Sequence, residues 1–234
     1  LQAPQRLVGI HFFNPVAQLP LVEVVQGEAS DPEVLRRATG FVRAIDKLPL
    51  PLKSAPGFLV NAVLGPYMLE ALRCVEEGRS PETVDAALLR FGMPIGPVEL
   101  VDTVGLDIAV AAGEALAGAG AIPPSRLLKL VAEGKLGRKS GEGYYRWVDG
   151  KAEKAEAGAS GPGLAERILA PLLAAAERCV REGVVADADL ADAGVIFGTG
   201  FAPHTGGPLQ FARSIGKTRI GTASGLTERV QQTT

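Results

Sequence analysis

The chain has 234 residues, of which 47% are hydrophobic, and its formal net charge is −2. This length allows a substantial core in one large or two small domains. The interspersed charges offer no basic field of the kind that a phosphate backbone requires, so we expect no nucleic acid partner. No apolar run reaches the roughly 18 residues of a membrane span, and the first residues lack a signal-peptide pattern. We therefore expect a soluble, cytoplasmic protein.

The first elements along the chain are two short β-rich runs, at 7–12 and 19–25, with turn-forming residues between them. They predict adjacent strands at the edge of a sheet. A helix follows, with Asp31 as its N-cap and Pro32 at its first position. The proline-rich stretch KLPLPLKSAPG cannot continue a helix, and we expect it to be an extended connector.

Two polar residues interrupt these apolar strands. Glu23 lies in the run LPLVEVV, where an unpaired buried carboxylate would cost several kcal/mol, so it requires a proton or a partner. His11 precedes it by twelve positions and can face it across the two strands. A carboxylate on one imidazole nitrogen fixes the tautomer and leaves the other nitrogen as a general base. A buried structural His–Glu hydrogen bond is equally consistent with the spacing.

From residue 58 onward the patterns are almost wholly helical. We predict a helix over 58–77, a second one capped by Ser80, and a third over 98–116. A glycine- and alanine-rich linker covers 149–163, and a further helix is predicted over 164–182.

The helices at 58–77 and 164–182 are internal repeats. At an offset of 105 residues, seven of the thirteen positions from Pro66 to Gly78 are identical to those from Pro171 to Gly183. The repeat continues loosely from GMPIGPVEL to GFAPHTGGPLQF. It makes the two cysteines, at 74 and 179, equivalent positions, which favours buried thiols over a disulfide bridge.

Other polar residues offer weaker signals. Asn61 stands in the apolar first turn of a helix, where a helix–helix contact is the simplest interpretation. His204 lies in a glycine- and proline-rich stretch and is predicted to be a loop or surface histidine. The glycines after residue 197 do not form G-x-G-x-x-G, so no dinucleotide site is predicted. Helix caps and a solvated basic turn are the interpretations for the remaining charged candidates, Asp102, Asp107, Lys135, Arg138 and Lys139.

The segments GIHFFNPVAQLPLVEVVQG, KSAPGFLVNAVLGPYMLEAL and LGRKSGEGYYRW resemble L-3-hydroxyacyl-CoA dehydrogenases, in order and through most of the chain. The second helical copy resembles the doubled C-terminal domain of multifunctional β-oxidation enzymes. The resemblance implies a mainly α fold: two repeated helical domains preceded by the last strands of a truncated Rossmann domain. The implied units are 1–50, 51–148 and 164–234, with the linker at 149–163.

The resemblance also implies chemistry. His11 would be the catalytic histidine, Glu23 its partner and Asn61 the substrate-contacting asparagine in NAD-dependent oxidation of (3S)-hydroxyacyl-CoA. The family's NAD loop precedes HFFNP, so we expect this sequence to be a fragment without cofactor-binding residues. The implied partners are an acyl-CoA substrate and a thiolase subunit, and the two helical units are expected to form a pseudo-dimer within one chain.

Two alternatives remain open. A non-catalytic scaffold derived from this family would have no need of the His11, Glu23 and Asn61 triplet. A β-hydroxyacid dehydrogenase that acts on free acids would use a lysine as its acid–base group, and no lysine occupies the position of His11.

Overall fold

The computed structural model describes residues 1–117 and 123–216, and it is mainly helical. None of the helices within these ranges has the length and apolar character of a membrane span. The strands are β1 (Val8–Phe12), β2 (Leu21–Gln26), β3 (Leu48–Lys53), β4 (Arg146–Val148) and β5 (Lys151–Glu153). The helices are α1 (Pro32–Ala44), α2 (Val60–Glu76), α3 (Pro81–Phe91), α4 (Pro97–Val104), α5 (Leu106–Ala117), α6 (Ser125–Ala132), α7 (Leu164–Arg181) and α8 (Ala188–Thr199). Residues 208–216 are also helical.

The first three strands form one sheet in the order β1, β2, β3. β1 and β2 are adjacent, as the sequence predicts. They pair in antiparallel orientation, and their register places His11 directly opposite Glu23. The connector expected at 47–57 is extended over Leu48–Lys53, but there it is the strand β3, which pairs in parallel with β2. Its prolines, Pro49 and Pro51, are compatible with this edge position because they alternate with Leu50 and Leu52, whose amide groups can pair.

The two faces of the sheet pack on different layers. Val22 and Val24 of β2 pack with Val42 of α1 in one apolar cluster. The alternate residues of β2 point to the helical body on the other side, where Leu21 and Val25 join the main core. Since side chains alternate along a strand, Glu23 points to this second face, between sheet and helices.

α2 and α7 are the central helices, and they confirm the helices predicted over 58–77 and 164–182. They run antiparallel, as the contact between Arg167 at the start of α7 and Glu77 at the end of α2 shows. At the opposite end, the thiol of Cys179 lies 3.9 Å from the carbonyl oxygen of Phe58. The residues that these helices bury include Tyr67, Leu72, Ile168, Leu172 and Ala176.

The predicted helix over 98–116 is wrong in one respect, since the structure divides it into α4 and α5. The break is at Gly105, whose φ of 108° lies in a region that L side chains rarely adopt. The Leu106 amide then donates to the Leu136 carbonyl at 3.3 Å instead of continuing the helix. The turn that carries Lys139 packs against this break.

Two aspartates, Asp85 and Asp192, make matching contacts with the starts of two helices. Asp85 accepts from the amides of Val98 and Glu99 at the start of α4, at 2.8 and 3.1 Å. Asp192 accepts from Leu209 and Gln210 at the start of the helix at 208–216, at 2.6 and 3.1 Å. Each helix therefore has its N-terminal amides satisfied by a remote carboxylate, where a Gly-Pro pair precedes them.

Asp102 was expected to be a helix cap, and this prediction is wrong. It lies buried within α4 and accepts from the amides of Tyr144 and Tyr145 and from the indole of Trp147, at 3.0, 2.9 and 3.0 Å. Asp102 thus holds a neighbouring loop rather than its own helix. Burial raises the pKa of its carboxyl, and these donors oppose that rise.

Candidate acid–base site

A hydrogen bond joins the two polar residues that interrupt the apolar strands. His11 Nδ1 lies 2.7 Å from Glu23 Oε2. The Glu23 side chain is completely buried, whereas 32% of the His11 side chain is exposed. The pair therefore has a buried end, at the carboxylate, and an accessible end, at the imidazole.

The second oxygen of Glu23 binds the start of α2. Its Oε1 accepts from the backbone amides of Leu59 and Val60, each at 3.0 Å. α2 has Leu59 at its N-cap position, and no side chain of its own segment caps it. Glu23 therefore serves as a remote N-cap, and the positive end of the helix dipole favours its negative charge.

The turn before α2 has a restricted backbone. Gly57 and Phe58 have φ angles of 75° and 52°, in the left-handed region. For a bulky residue such as Phe58 this conformation costs about 1–3 kcal/mol. This turn directs the amides of Leu59 and Val60 toward Glu23. The backbone conformation that is unfavourable for Phe58 therefore accompanies the two hydrogen bonds to the carboxylate.

Aromatic rings position the imidazole. The Phe13 and Phe58 rings meet the His11 ring edge-to-face, with centroid distances of 4.7 and 5.5 Å. A carboxylate can only accept a hydrogen bond, so the proton on this side of the ring belongs to Nδ1. Nε2 is then unprotonated in the neutral ring and can act as a general base. Once the ring carries a second proton, the Glu23 carboxylate stabilises the imidazolium.

Asn61 lies close to this turn but is not part of the hydrogen-bonded pair. It is an exposed residue in the first turn of α2, at the margin of an apolar cavity of about 450 Å³. Side chains of α2, α4, α5 and α6 form the walls of this cavity, among them Met68, Leu100, Val104 and Leu127. Its apolar walls and few polar groups are typical of a small-molecule site.

The other candidates lie elsewhere. His204 is exposed in a short 3₁₀ turn, which confirms its prediction as a surface histidine. Both cysteines are free and buried, as expected, and burial raises their pKa values. In the basic turn, Lys135 pairs with Glu133 and Glu142, at 3.4 and 2.8 Å. Lys139 pairs with Asp107 at 2.5 Å, so two of the three cations of this turn have partners. The polar C-terminal sequence TRIGTASGLTERVQQTT, at 218–234, lies outside the described residues.

The two amides at the start of α2 were not predicted as partners of Glu23. A signal for them exists in the segment GFLVN, because an apolar helix start without Ser, Thr, Asp or Asn at its N-cap needs an acceptor from elsewhere. A buried glutamate in the preceding strands is such an acceptor. The aromatic contacts of Phe13 and Phe58 had no comparable sequence signal.

A histidine held by a buried carboxylate, at the junction of a small sheet and a helical body, is an arrangement that can accept and release a proton. The family model described as 3-hydroxyacyl-CoA dehydrogenase, NAD binding domain, matches residues 1–55. The model described as 3-hydroxyacyl-CoA dehydrogenase, C-terminal domain, matches residues 57–147. The two successive matches cover more than half of the chain, which belongs to the 3-hydroxyacyl-CoA dehydrogenase family.

Individual proteins similar to this chain agree with this assignment. The fatty acid oxidation complex subunit alpha of Shewanella frigidimarina is 35% identical over 93% of this chain. The chain spans about a third of the length of that relative, 33%. Among solved structures, 3-hydroxybutyryl-CoA dehydrogenase of Escherichia coli K12 matches 93% of this chain and 65% of its own, with a TM-score of 0.79 and 27% identity. The dehydrogenase part of multifunctional enzyme 1 from C. elegans matches 85% of this chain and 50% of its own, with a TM-score of 0.62 and 25% identity.

Proposed function

We propose that this chain supplies the acid–base residues and the acyl-CoA-facing helices of an NAD-dependent 3-hydroxyacyl-CoA dehydrogenase of fatty-acid oxidation. The observation that carries the proposal is the His11–Glu23 hydrogen bond of 2.7 Å, with Glu23 anchored on the start of α2. The pair has a buried carboxylate and an accessible imidazole, which is the arrangement that a general base requires.

In the proposed reaction, His11 Nε2 accepts the proton of the C3 hydroxyl of a (3S)-hydroxyacyl-CoA. A bound nicotinamide would supply the hydride acceptor for C3, so that the product would be a 3-ketoacyl-CoA. Glu23 stabilises the imidazolium that forms, and Asn61 binds a substrate oxygen. General-base assistance contributes on the order of 10²–10⁴ in rate.

The described residues do not fit the phosphates of NAD. In dinucleotide sites the pyrophosphate binds at the N-terminus of a helix that follows a strand. In the three-stranded sheet of this chain, the helices that follow strands are α1 and α2, and both begin at carboxylates. Asp31 accepts from the Glu33 amide of α1 at 2.7 Å, and Glu23 occupies the start of α2. None of the described residues is therefore assigned to NAD, and the part of the reaction proposed for them is the proton transfer.

The alternative is a non-catalytic assembly module of this family. One observation favours it, because the contacts of Glu23 with Leu59 and Val60 join sheet to helix whether or not a reaction occurs. The exposure of His11 favours the enzymatic proposal, since a purely structural pair has no need of an accessible ring.

The repeat supports a further part of the proposal, the division into two helical units. We propose units at 1–50, 51–148 and 164–234, with 149–163 as linker. The antiparallel pairing of α2 with α7 and the matching roles of Asp85 and Asp192 support a pseudo-dimer of the two helical units. A cytoplasmic location and association with a thiolase subunit stay predictions.

Histidine NMR tests the proposed function directly, because the chain has two histidines, His11 and His204. Titration of the ¹⁵N-labelled chain with acetoacetyl-CoA should shift the His11 ring signals and leave those of His204 unchanged. A His204→Ala variant assigns the signals and serves as a matched control. Equal shifts of both histidines, or binding that leaves His11 unperturbed, would contradict the proposal. So would NADH-dependent turnover that survives His11→Ala.

A further inference from the structure

Among the described residues, one cationic side chain lines the apolar cavity beside Asn61, and it comes from α7. Arg178 lines this cavity although it belongs to the second repeat. Because α2 and α7 are antiparallel, the end of α7 lies beside the start of α2, as the contact between Cys179 and Phe58 shows. Arg178 thus lies at the same end of the cavity as Asn61, which is the end nearer the acid–base pair.

Arg178 has no ion-pair partner among the residues that the structure describes, and its side chain is exposed. Its counterpart at the offset of 105 is Arg73, which pairs with Glu70, three residues before it, at 3.6 Å. The residue three positions before Arg178 is Ala175. The second repeat therefore lacks the acid that holds the equivalent arginine of the first repeat.

The second repeat has a cavity at the position equivalent to that of the first, and the two cavities differ in size and lining. The second one measures about 170 Å³, against about 450 Å³ for the first. Glu166 lines it at the position equivalent to Asn61, and Phe211 corresponds to Leu100 along the helix that follows each Gly-Pro pair. A smaller cavity with a carboxylate at its margin does not suit an anionic ligand. Of these two cavities, as the described residues form them, the first combines a large apolar volume with a cation that has no ion-pair partner.

We infer that Arg178 binds the phosphate-bearing part of an acyl-CoA thioester whose acyl group enters the first cavity. This inference rests on the proposed function, because it concerns the substrate of the same site. A guanidinium group binds phosphate oxygens with paired hydrogen bonds, and a partner-free arginine loses no existing ion pair when it does so. The second helical unit thereby contributes a substrate-binding residue to the first.

The test compares two thioesters that differ in their phosphates. Dissociation constants of acetoacetyl-CoA and acetoacetyl-pantetheine, which has no phosphate, are measured by calorimetry on the 234-residue chain. Arg178→Gln should weaken acetoacetyl-CoA binding about tenfold or more and leave acetoacetyl-pantetheine binding unchanged. Arg178→Lys should retain part of the affinity, and added salt should weaken acetoacetyl-CoA binding less in Arg178→Gln than in the native chain. Arg73→Gln, the repeat counterpart, should change neither constant.

The outcomes separate the inference from the proposed function. If the native chain binds both thioesters and Arg178→Gln weakens both equally, Arg178 acts through packing and the inference is overturned. An unchanged constant for acetoacetyl-CoA in Arg178→Gln would overturn it as well. If the native chain binds neither thioester, the proposed function fails and the inference fails with it.

Discussion

Replacing Glu23 separates its structural contribution from its chemical one. Glu23→Ala removes an acceptor that serves three donors, and it leaves the amides of Leu59 and Val60 without a partner at a buried site. Each buried donor that loses its acceptor costs about 1–3 kcal/mol. We therefore expect Glu23→Ala to lower the free energy of unfolding by about 3–5 kcal/mol, measured by chemical denaturation.

Glu23→Gln is the matched variant, because its amide oxygen can still accept from both α2 amides. We expect it to cost only about 1–2 kcal/mol, the difference between a charge-assisted and a neutral set of hydrogen bonds. Its NH₂ group then faces His11 Nδ1, which must present a lone pair, so the ring proton moves to Nε2.

The assay for this change is the ¹⁵N spectrum of the His11 ring at a pH where the ring is neutral. The native chain should show a protonated Nδ1, and Glu23→Gln should show a protonated Nε2. The signals of His204 should be the same in both. Identical His11 tautomers in the two proteins, or a stability loss in Glu23→Gln as large as in Glu23→Ala, would refute the reasoning.

Three further predictions concern the stability of the fold around the site. Asp102→Ala should lower the free energy of unfolding by about 3 kcal/mol, because buried donors lose their acceptor, and it should change the fluorescence of Trp147, the single tryptophan. Burial raises the pKa of Asp85 from 3.8 to about 6. The folded state then binds more protons than the unfolded state between those values, so this group's contribution to stability falls as pH rises from about 4 to 6. The difference in unfolding free energy between the native chain and Asp85→Asn should change in that direction by up to about 3 kcal/mol. Gly96→Ala should be destabilising, since a Cβ there would lie 2.1 Å from Asp85 Cγ. Gly40 in α1 has open space around it, so Gly40→Ala should stabilise the protein by about 0.5–1 kcal/mol. Thermal melts of the two variants compare these effects.

The first two strands and the contact between His11 and Glu23 could be predicted because local rules decide them. Alternating β-rich runs set the register, and an uncompensated carboxylate in an apolar run requires a partner, so the sequence led to the contact between His11 and Glu23. Helix caps at Asp31 and Ser80 were equally accessible, since the cap and its amide lie two or three residues apart.

The errors came from contacts between distant segments. The break at Gly105 depends on Leu136 and on the turn with Lys139, which pack against it from about thirty residues away. The parallel pairing of β3 depends on β2, and the buried role of Asp102 depends on the loop at 144–147. A local pattern of glycine, proline or aspartate allows these outcomes but does not choose among them.

Glu23 connects the two parts of the molecule that the site requires. One oxygen orients an imidazole on the sheet, and the other holds the first turn of α2, whose next residue is Asn61. A shift of α2 relative to the sheet would therefore move the His11 imidazole and the margin of the cavity together. α7 fixes the same turn from the other side through Cys179 and Phe58. Substitutions that disturb the packing of α2 on α7, far from His11, should thus alter the geometry of the site through the carboxylate of Glu23, and not through the cavity alone.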